Sequence, residues 1–428
     1  MAHDEDSPDT SPGIRRLLTL SIPALGIGIG SAVTLKLLDA LADWLQDVLW
    51  ETLPAQFGAD RATSWWIFLV LTLIGVAVGA VVWLMPGHGG PDSATTELSG
   101  PFPTLGAVPS VAIVVVLGLA GGVSLGPENP IIGINVALAV AVLARTMTSV
   151  PKPLVVMLTM AGTIGALFGT PVAAALLFTG TVGALKGGGS LWDKLFLPLA
   201  AGGAGSLTTL LLGGHGIAFH LPGVEKIGAI DLLWGVLIAA VAAALAVVGA
   251  WLLPLLYRVF HTVRHPLLMT TLGGVTLGLL GVLGGPMTLF KGLNETGELL
   301  THPSDYTAGQ LTAFAGIKLL ALLVAAASGF RGGRIFPIVF VGAALGLLAP
   351  ALVPSIPLSL GVACAVLGVT LVGTRDGWVA LFLAVALTGD YALLPVLCLV
   401  LLPTWLLVTQ APALVVTLRA TPETHATA

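Results

Sequence analysis

Charge is scarce in this chain: of 428 residues 9% are Asp, Glu, Lys or Arg, with 17 basic and 21 acidic side chains for a net charge of −4. So thin and balanced a set forms no polyanion-binding surface, and nucleic acid is excluded as a partner. Cysteine is scarcer still. Cys364 and Cys398 are the only two, each inside an apolar run, with no spacing that builds a metal site or a disulfide framework, so both are expected in core packing. A nucleophile with its base is also lacking. Ala327-Ser328-Gly329 presents a serine, but no histidine follows until His425. Gly26-x-Gly28-x-Gly30 has neither the strand nor the later acid of a dinucleotide loop. A polytopic membrane enzyme is therefore the weaker alternative, and no metal or cofactor is expected.

A basic leader is missing as well. Met1 to Gly13 is acidic and rich in Ser and Pro, the opposite of a cleaved signal, and residues 1–14 read as a disordered cytoplasmic lead. Arg15, Arg16, Arg258, Arg264 and Arg419 favour both termini inside by the positive-inside tendency. Residues 417–428 are too short for a regulatory domain, which needs ~50 residues or more.

What the chain has in excess is apolar surface: 56% of residues are hydrophobic and the mean hydropathy is +1.01. A bilayer core of roughly 30 Å takes about 20 apolar residues per helical span, and such stretches recur from Leu17 to Val415, giving about ten spans. The expected fold is an all-α integral membrane protein. Fifty-five Gly and 28 Pro would break soluble helices, whereas in a membrane they mark close helix contacts and interrupted helices. Val108–Leu125, Ile131–Leu143 and Ile335–Leu348 are bounded by Gly/Pro clusters, and the latter two are too short to cross upright.

The chain also matches itself. Gly126-Pro-Glu-Asn-Pro130 aligns without gaps on Gly333-Arg-Ile-Phe-Pro337, offset by 207 positions. Gly169-Thr170 and Gly373-Thr374 recur at 204, and Ala175-Leu176 and Ala380-Leu381 at 205. Two halves follow, approximately 15–225 and 226–416 within one membrane domain of 15–416. Such internal symmetry marks transporter-type folds whose broken helices meet near the midplane.

Asn129 is a good N-cap and Pro130 a good first helical residue, which leaves Glu128 just outside a helix start. The first N–H groups of a helix lack internal partners and carry the positive end of its dipole, so this spot suits an anion, and a glutamate held there takes an anion's place. An intramembrane acid is a functional residue by default. Pro337 repeats the arrangement, preceded by Arg334, Ile335 and Phe336. Pro91 and Thr170-Pro171 mark two further expected helix starts. His88 either donates to an anion or is a loop histidine facing water. Arg334 either raises the potential at the mouth or tucks against carbonyls. Arg375 and Asp376 read as an ion pair or a helix cap, and Lys318 as a snorkelling lysine without an assignable partner.

With these motifs in order, most of Arg15 to Arg419 resembles the CLC family of chloride channels and chloride/proton antiporters, in particular a bacterial branch described only as ion-transport proteins. Gly126-Pro-Glu128-Asn-Pro130 matches the family's gating-glutamate motif, Gly333-Arg-Ile-Phe-Pro337 its anion-binding Gly-x-Phe-x-Pro segment, and Gly87-His88-Gly-Gly-Pro91 its Gly-Ser-Gly-Ile-Pro segment. The resemblance implies an inverted repeat of many tilted and broken helices, paired as a homodimer in the bacterial inner membrane with one pore per subunit. It further implies a gate at Glu128 and anion contacts, mainly through backbone amides, at Gly126, Glu128, Asn129, Arg334, Ile335 and Phe336. His88 stands where the family's serine tunes selectivity, Leu414 at the inner gate where a tyrosine is usual, and Thr181 at the internal proton site, which thereby lacks a carboxylate. The implied function is passage of small inorganic anions, chloride first, with passive conduction as the leading mode and anion/proton antiport as the alternative. Lipid, and protons in the second mode, are the other implied partners.

Overall fold

A computed structural model describes residues 14–97, 100–147, 150–183, 191–214, 216–219, 221–224 and 227–417. Residues 1–13 and 418–428, the expected lead and most of the expected tail, lie outside the described residues. The described chain is helical, and nine of its helices are long and apolar enough to cross a membrane. The first half runs α1 (Ile14–Asp47), a π turn into the short α2 (Leu53–Gln56), α3 (Ser64–Leu84), α4 (Val108–Ala120), α5 (Glu128–Thr146), α6 (Lys152–Phe168), α7 (Pro171–Gly183) and α8 (Leu191–Leu211). The second half runs α9 (Ala229–Phe260), α10 (Pro266–Gly284), α11 (Leu293–Thr301), α12 (Ala308–Ala327), α13 (Ile335–Leu352), α14 (Leu358–Thr374), α15 (Gly377–Thr388) and α16 (Leu394–Thr409).

The two halves repeat each other in their main helices, with the short α2 and α11 unmatched. Helices α1 and α9, of 34 and 32 residues, are half as long again as an upright span of about 20, so both must tilt. Helices α5, α6 and α7 have 19, 17 and 13 residues, and α13, α14 and α15 have 18, 17 and 12. The packing repeats too: α8 against α1 and α6 in the first half is matched by α16 against α9 and α14 in the second. Helices α6 and α14 both end on a left-handed residue, Gly169 at φ 67° and Arg375 at φ 57°, before the chain reverses into α7 and α15.

Equivalent residues of the halves meet face to face, which is the signature of an inverted repeat about an axis through their contacts. Gly126 and Gly333, the first residues of the matched motifs, exchange both of their backbone hydrogen bonds as an antiparallel bridge, with N···O distances of 2.8 and 2.6 Å. Helices α3 and α10 cross where Gly75 faces Gly274. A Cβ on either would sit 3.0 Å from the other's Cα, and would also press on the partner helix's carbonyls, Thr270 in one case and Leu71 in the other. Lipid supplies no hydrophobic force to press helices together, so association depends on such close backbone approach.

Several sequence expectations need correction. Helices α5 and α13 begin at Glu128 and Ile335, two residues ahead of the expected starts, so Glu128 is the first helical residue. No helix begins at Pro91. Gly87, His88, Gly89 and Gly90 all have φ between 51° and 83°, a left-handed run no α-helix contains, and the Asp92 carboxylate then accepts from the Ala94 amide at 2.8 Å to hold a turn. The start at Pro171 is as expected. Cys364 is buried but Cys398 is exposed on the apolar surface. Small residues of α8 pack against the rest of the subunit: a Cβ on Gly28 would meet Ala204, and one on Gly205 would meet the Gly162 carbonyl.

Replacing Gly274 with Val is expected to cost about 1–3 kcal/mol or more by overpacking the axial crossing, read as a lowered thermal midpoint in detergent. An unchanged midpoint would show that α3 and α10 do not meet there.

Candidate functional site: a buried carboxylate on the repeat axis

The paired glycines leave room for one side chain, and Glu128 fills it. A Cβ on Gly126 or on Gly333 would collide with the Glu128 carboxylate, so a side chain at either position would displace the carboxylate from this slot. The Glu128 side chain is 1% exposed. Its Oε1 accepts a hydrogen bond from the Phe336 amide at 2.9 Å, while Oε2 is buried without a partner. The Phe336 N–H is available because it heads α13, where no preceding turn supplies an acceptor. A carboxylate thus sits at a helix N-terminus contributed by the other half of the molecule. Among the described residues no ion pair reaches it.

The expected anion-contact residues separate into groups. Glu128 and Phe336 are joined directly. Ile335 lines the small cavity of about 10 Å³ that Glu128 borders, together with Phe168, Leu177, Val379 and Phe382. The Gly126 amide is occupied, since it donates to the Gly333 carbonyl at 2.8 Å; the contribution of Gly126 is space. Asn129 and Arg334 line a larger cavity of about 440 Å³ that runs past Pro153, Met157, Gly373 and Asp376 to Leu414. Leu177, Ile335 and Val379 line both cavities and form the apolar septum between Glu128 and this vestibule.

The guanidinium of Arg334 is tucked against backbone, with Nη2 donating to the Thr96 carbonyl at 2.6 Å and the Ser93 carbonyl at 3.4 Å. Ser93 clamps the same junction: its Oγ donates to the Phe330 carbonyl and accepts from the Gly332 amide, each at 2.8 Å. The turns that replace the expected helix at Pro91 are in this way fastened to the start of α13. Ser93 and Thr96 escaped sequence reasoning because nothing local distinguishes a buried serine in a turn from a solvated one. Glu97, exposed beside Arg334 at the meeting of two cavities, was legible only as a charge.

His88 lies apart from this constellation. Its ring is exposed, and Nδ1 is 2.8 Å from the Val82 carbonyl. Leu414 is 3% exposed and lines the vestibule with Ala413 and Val415, on a non-helical strap pinned by the Val416 amide to the Ala94 carbonyl at 2.7 Å. Arg375 holds the other end of the strap, donating to the carbonyls of Val408 and Ala411. Asp376 caps α15 through the amides of Trp378 and Val379, so the pair serves backbone and not each other. Thr181 falls in the last turn of α7, and its side chain lies outside the described residues.

The family profile described as voltage gated chloride channel matches residues 73–407. Proteins named "Putative ion-transport protein YfeO" from Escherichia fergusonii and Escherichia coli are 46% identical over 407 residues, covering 95% of this chain and 96% of theirs. Among solved structures, a CLC-type fluoride/proton antiporter superposes with a TM-score of 0.72 at 19% identity, over 94% of this chain and 98% of its own. A slow cyanobacterial Cl⁻/H⁺ antiporter does so with 0.72 at 17%, over 94% and 97%. With a glutamate on the axis of an inverted helical repeat and these relatives spanning nearly its whole length, this chain belongs to the CLC family of voltage-gated chloride channels and transports ions across a membrane.

Proposed function

We propose that the protein passes small inorganic anions, chloride first, with Glu128 as a carboxylate gate and passive conduction as the leading mode. The observation that carries this reading is the Phe336 amide bonded to Glu128 Oε1 at 2.9 Å. An ionised carboxylate there occupies the helix N-terminus a permeating anion needs, in a slot floored by two glycines that leaves no space for both. Ile335 and Phe336 supply the amides. Asn129 and Arg334 draw anions into the vestibule, and Leu414 narrows it on the strap. Protonation removes the charge that competes with the anion and frees the slot. The protein is placed in the bacterial inner membrane with both termini inside, on the strength of its basic flanks and its bacterial relatives.

Anion/proton exchange is the second reading. Two of the similar solved structures are antiporters, and the missing carboxylate at Thr181 has a substitute in Glu97, which borders the vestibule next to Arg334. Proton movement would then pass from Glu97 across the Leu177–Ile335–Val379 septum to Glu128.

A homodimer, with one pathway per subunit, is proposed from the family and from the open apolar groove at Trp378, Leu381, Leu402 and Trp405. Mild crosslinking in lipid should capture dimers; recovery of monomers alone, at densities where an unrelated dimer is captured, counts against it. His88 is proposed to tune selectivity from the mouth. His88→Ser should then alter the permeability ratio among chloride, nitrate and fluoride. Unchanged ratios would return it to a loop role.

The gate is tested with Glu128→Gln and Glu128→Ala in liposomes. Both should fold, raise chloride efflux at neutral pH by about tenfold, the change that ~1.4 kcal/mol of competing occupancy produces, and lose acid activation. A proton electrode in the same vessel separates the modes, since exchange predicts chloride-driven proton movement in the wild type that both variants lose. Identical pH-dependent efflux in all three proteins would remove Glu128 from the pathway.

A further inference from the structure

Lys318, in the middle of α12, does not snorkel. It is 0% exposed, and its Nζ donates to three consecutive backbone carbonyls, Thr288 at 3.1 Å, Leu289 at 2.5 Å and Phe290 at 2.7 Å. The ring of Phe340 stands 5.2 Å away, centroid to Nζ. Three acceptors match the three N–H bonds of an ammonium. A neutral amine would direct its lone pair at one of the carbonyls, so the geometry suits only the cation. Carboxylate support is indirect, because Glu295 on α11 is engaged by Arg61 at 3.5 Å.

Three successive carbonyls point to one spot because the backbone is bent for it. Pro286–Thr288 forms a 3-10 turn, Leu289 is extended, and Phe290 adopts φ 57°, a conformation unfavourable for a bulky residue. Phe290 is held there by donation from its amide to the Gly122 carbonyl at 3.0 Å and by the edge of Trp50 at 5.3 Å. The guanidinium of Arg61 lies 4.9 Å from its ring centroid on the same cluster. Gly292, at φ 94°, opens the remaining side: a Cβ there would lie 3.2 Å from Lys318 Cε. Convergent carbonyls at these distances, with a ring face behind, are what a protein offers a dehydrated monovalent cation in place of water.

We propose that the carbonyls of Thr288, Leu289 and Phe290 form a monovalent-cation site that the chain fills with its own ammonium, and that truncating Lys318 opens it to free cations of ammonium or potassium size. The site braces the segment that Ser124 also reaches, its Oγ donating to the Thr288 carbonyl at 3.2 Å, four residues before Glu128. The proposal stands on this geometry and is independent of what the protein transports.

The test uses the purified full chain in detergent at constant pH and constant chloride, with choline, potassium or ammonium as the counter-cation. Wild-type thermal midpoints should agree in all three salts. Lys318→Ala should melt about 5 °C or more lower in choline, because three buried carbonyls lose their donors, and should recover in ammonium or potassium with a saturable concentration dependence. Lys318→Met, whose thioether fills the space without a charge, should be equally destabilised and unresponsive to the cation. A Lys318→Ala midpoint that is the same in choline and in ammonium, or a Lys318→Met midpoint equal to wild type, overturns the proposal; should Lys318→Ala not accumulate, Lys318→Gly is compared in the same three salts with the same two outcomes.

Discussion

The bilayer interior holds no water to satisfy a polar group, and each broken helix in this chain creates polar groups that must find partners elsewhere in the protein. The Gly126–Gly333 bridge is where that constraint is met. Two chain segments that have left helical geometry at the same depth satisfy each other, donor to acceptor in both directions, and so fix the halves in register. From that register follow the position of Glu128 under the α13 N-terminus, the space that the two bridge glycines leave for its carboxylate, and the septum formed by one residue each from α7, α13 and α15.

The same constraint explains how charges are used here. Arg334, Arg375 and Lys318 are each turned onto backbone carbonyls and not onto carboxylates. A cation on a carbonyl repairs two deficits at once, its own lost hydration and the orphaned acceptor at a broken helix, whereas a buried ion pair must recover the desolvation of two charges. Glu128, at the helix start of α13, keeps one carboxylate oxygen, Oε2, buried and unpartnered, and an acid left in deficit there is one that can exchange places with something else.

Much of the fold was readable because the repeat is local in sequence: Gly126-Pro-Glu-Asn-Pro130 and Gly333-Arg-Ile-Phe-Pro337 announce themselves by composition and spacing, and Glu128 by being an acid among apolar residues. What could not be read depended on pairing across distance. Nothing near Ser93 says that it will meet Phe330 and Gly332, more than 230 residues away. Nothing near Lys318 shows the carbonyls that await it. The helix expected at Pro91 failed for a subtler reason: the three glycines ahead of it permit left-handed backbone, and with His88 they use it.

The bridge also has a consequence for the sidedness of the molecule. In the gapless alignment of the two motifs, Glu128 corresponds to Ile335, so a scaffold that is nearly the same viewed from either membrane face carries its acid in one copy and an aliphatic side chain in the other. Turning the backbone over would exchange α5 with α13 and change little; turning the side chains over would move the only titratable group of the pair to the opposite face. Front and back are therefore distinguished in this protein by side-chain identity where the two motifs part, Glu128 against Ile335 and Pro127 against Arg334, and duplication of a single ancestral half would have yielded a device with no preferred face until such positions diverged.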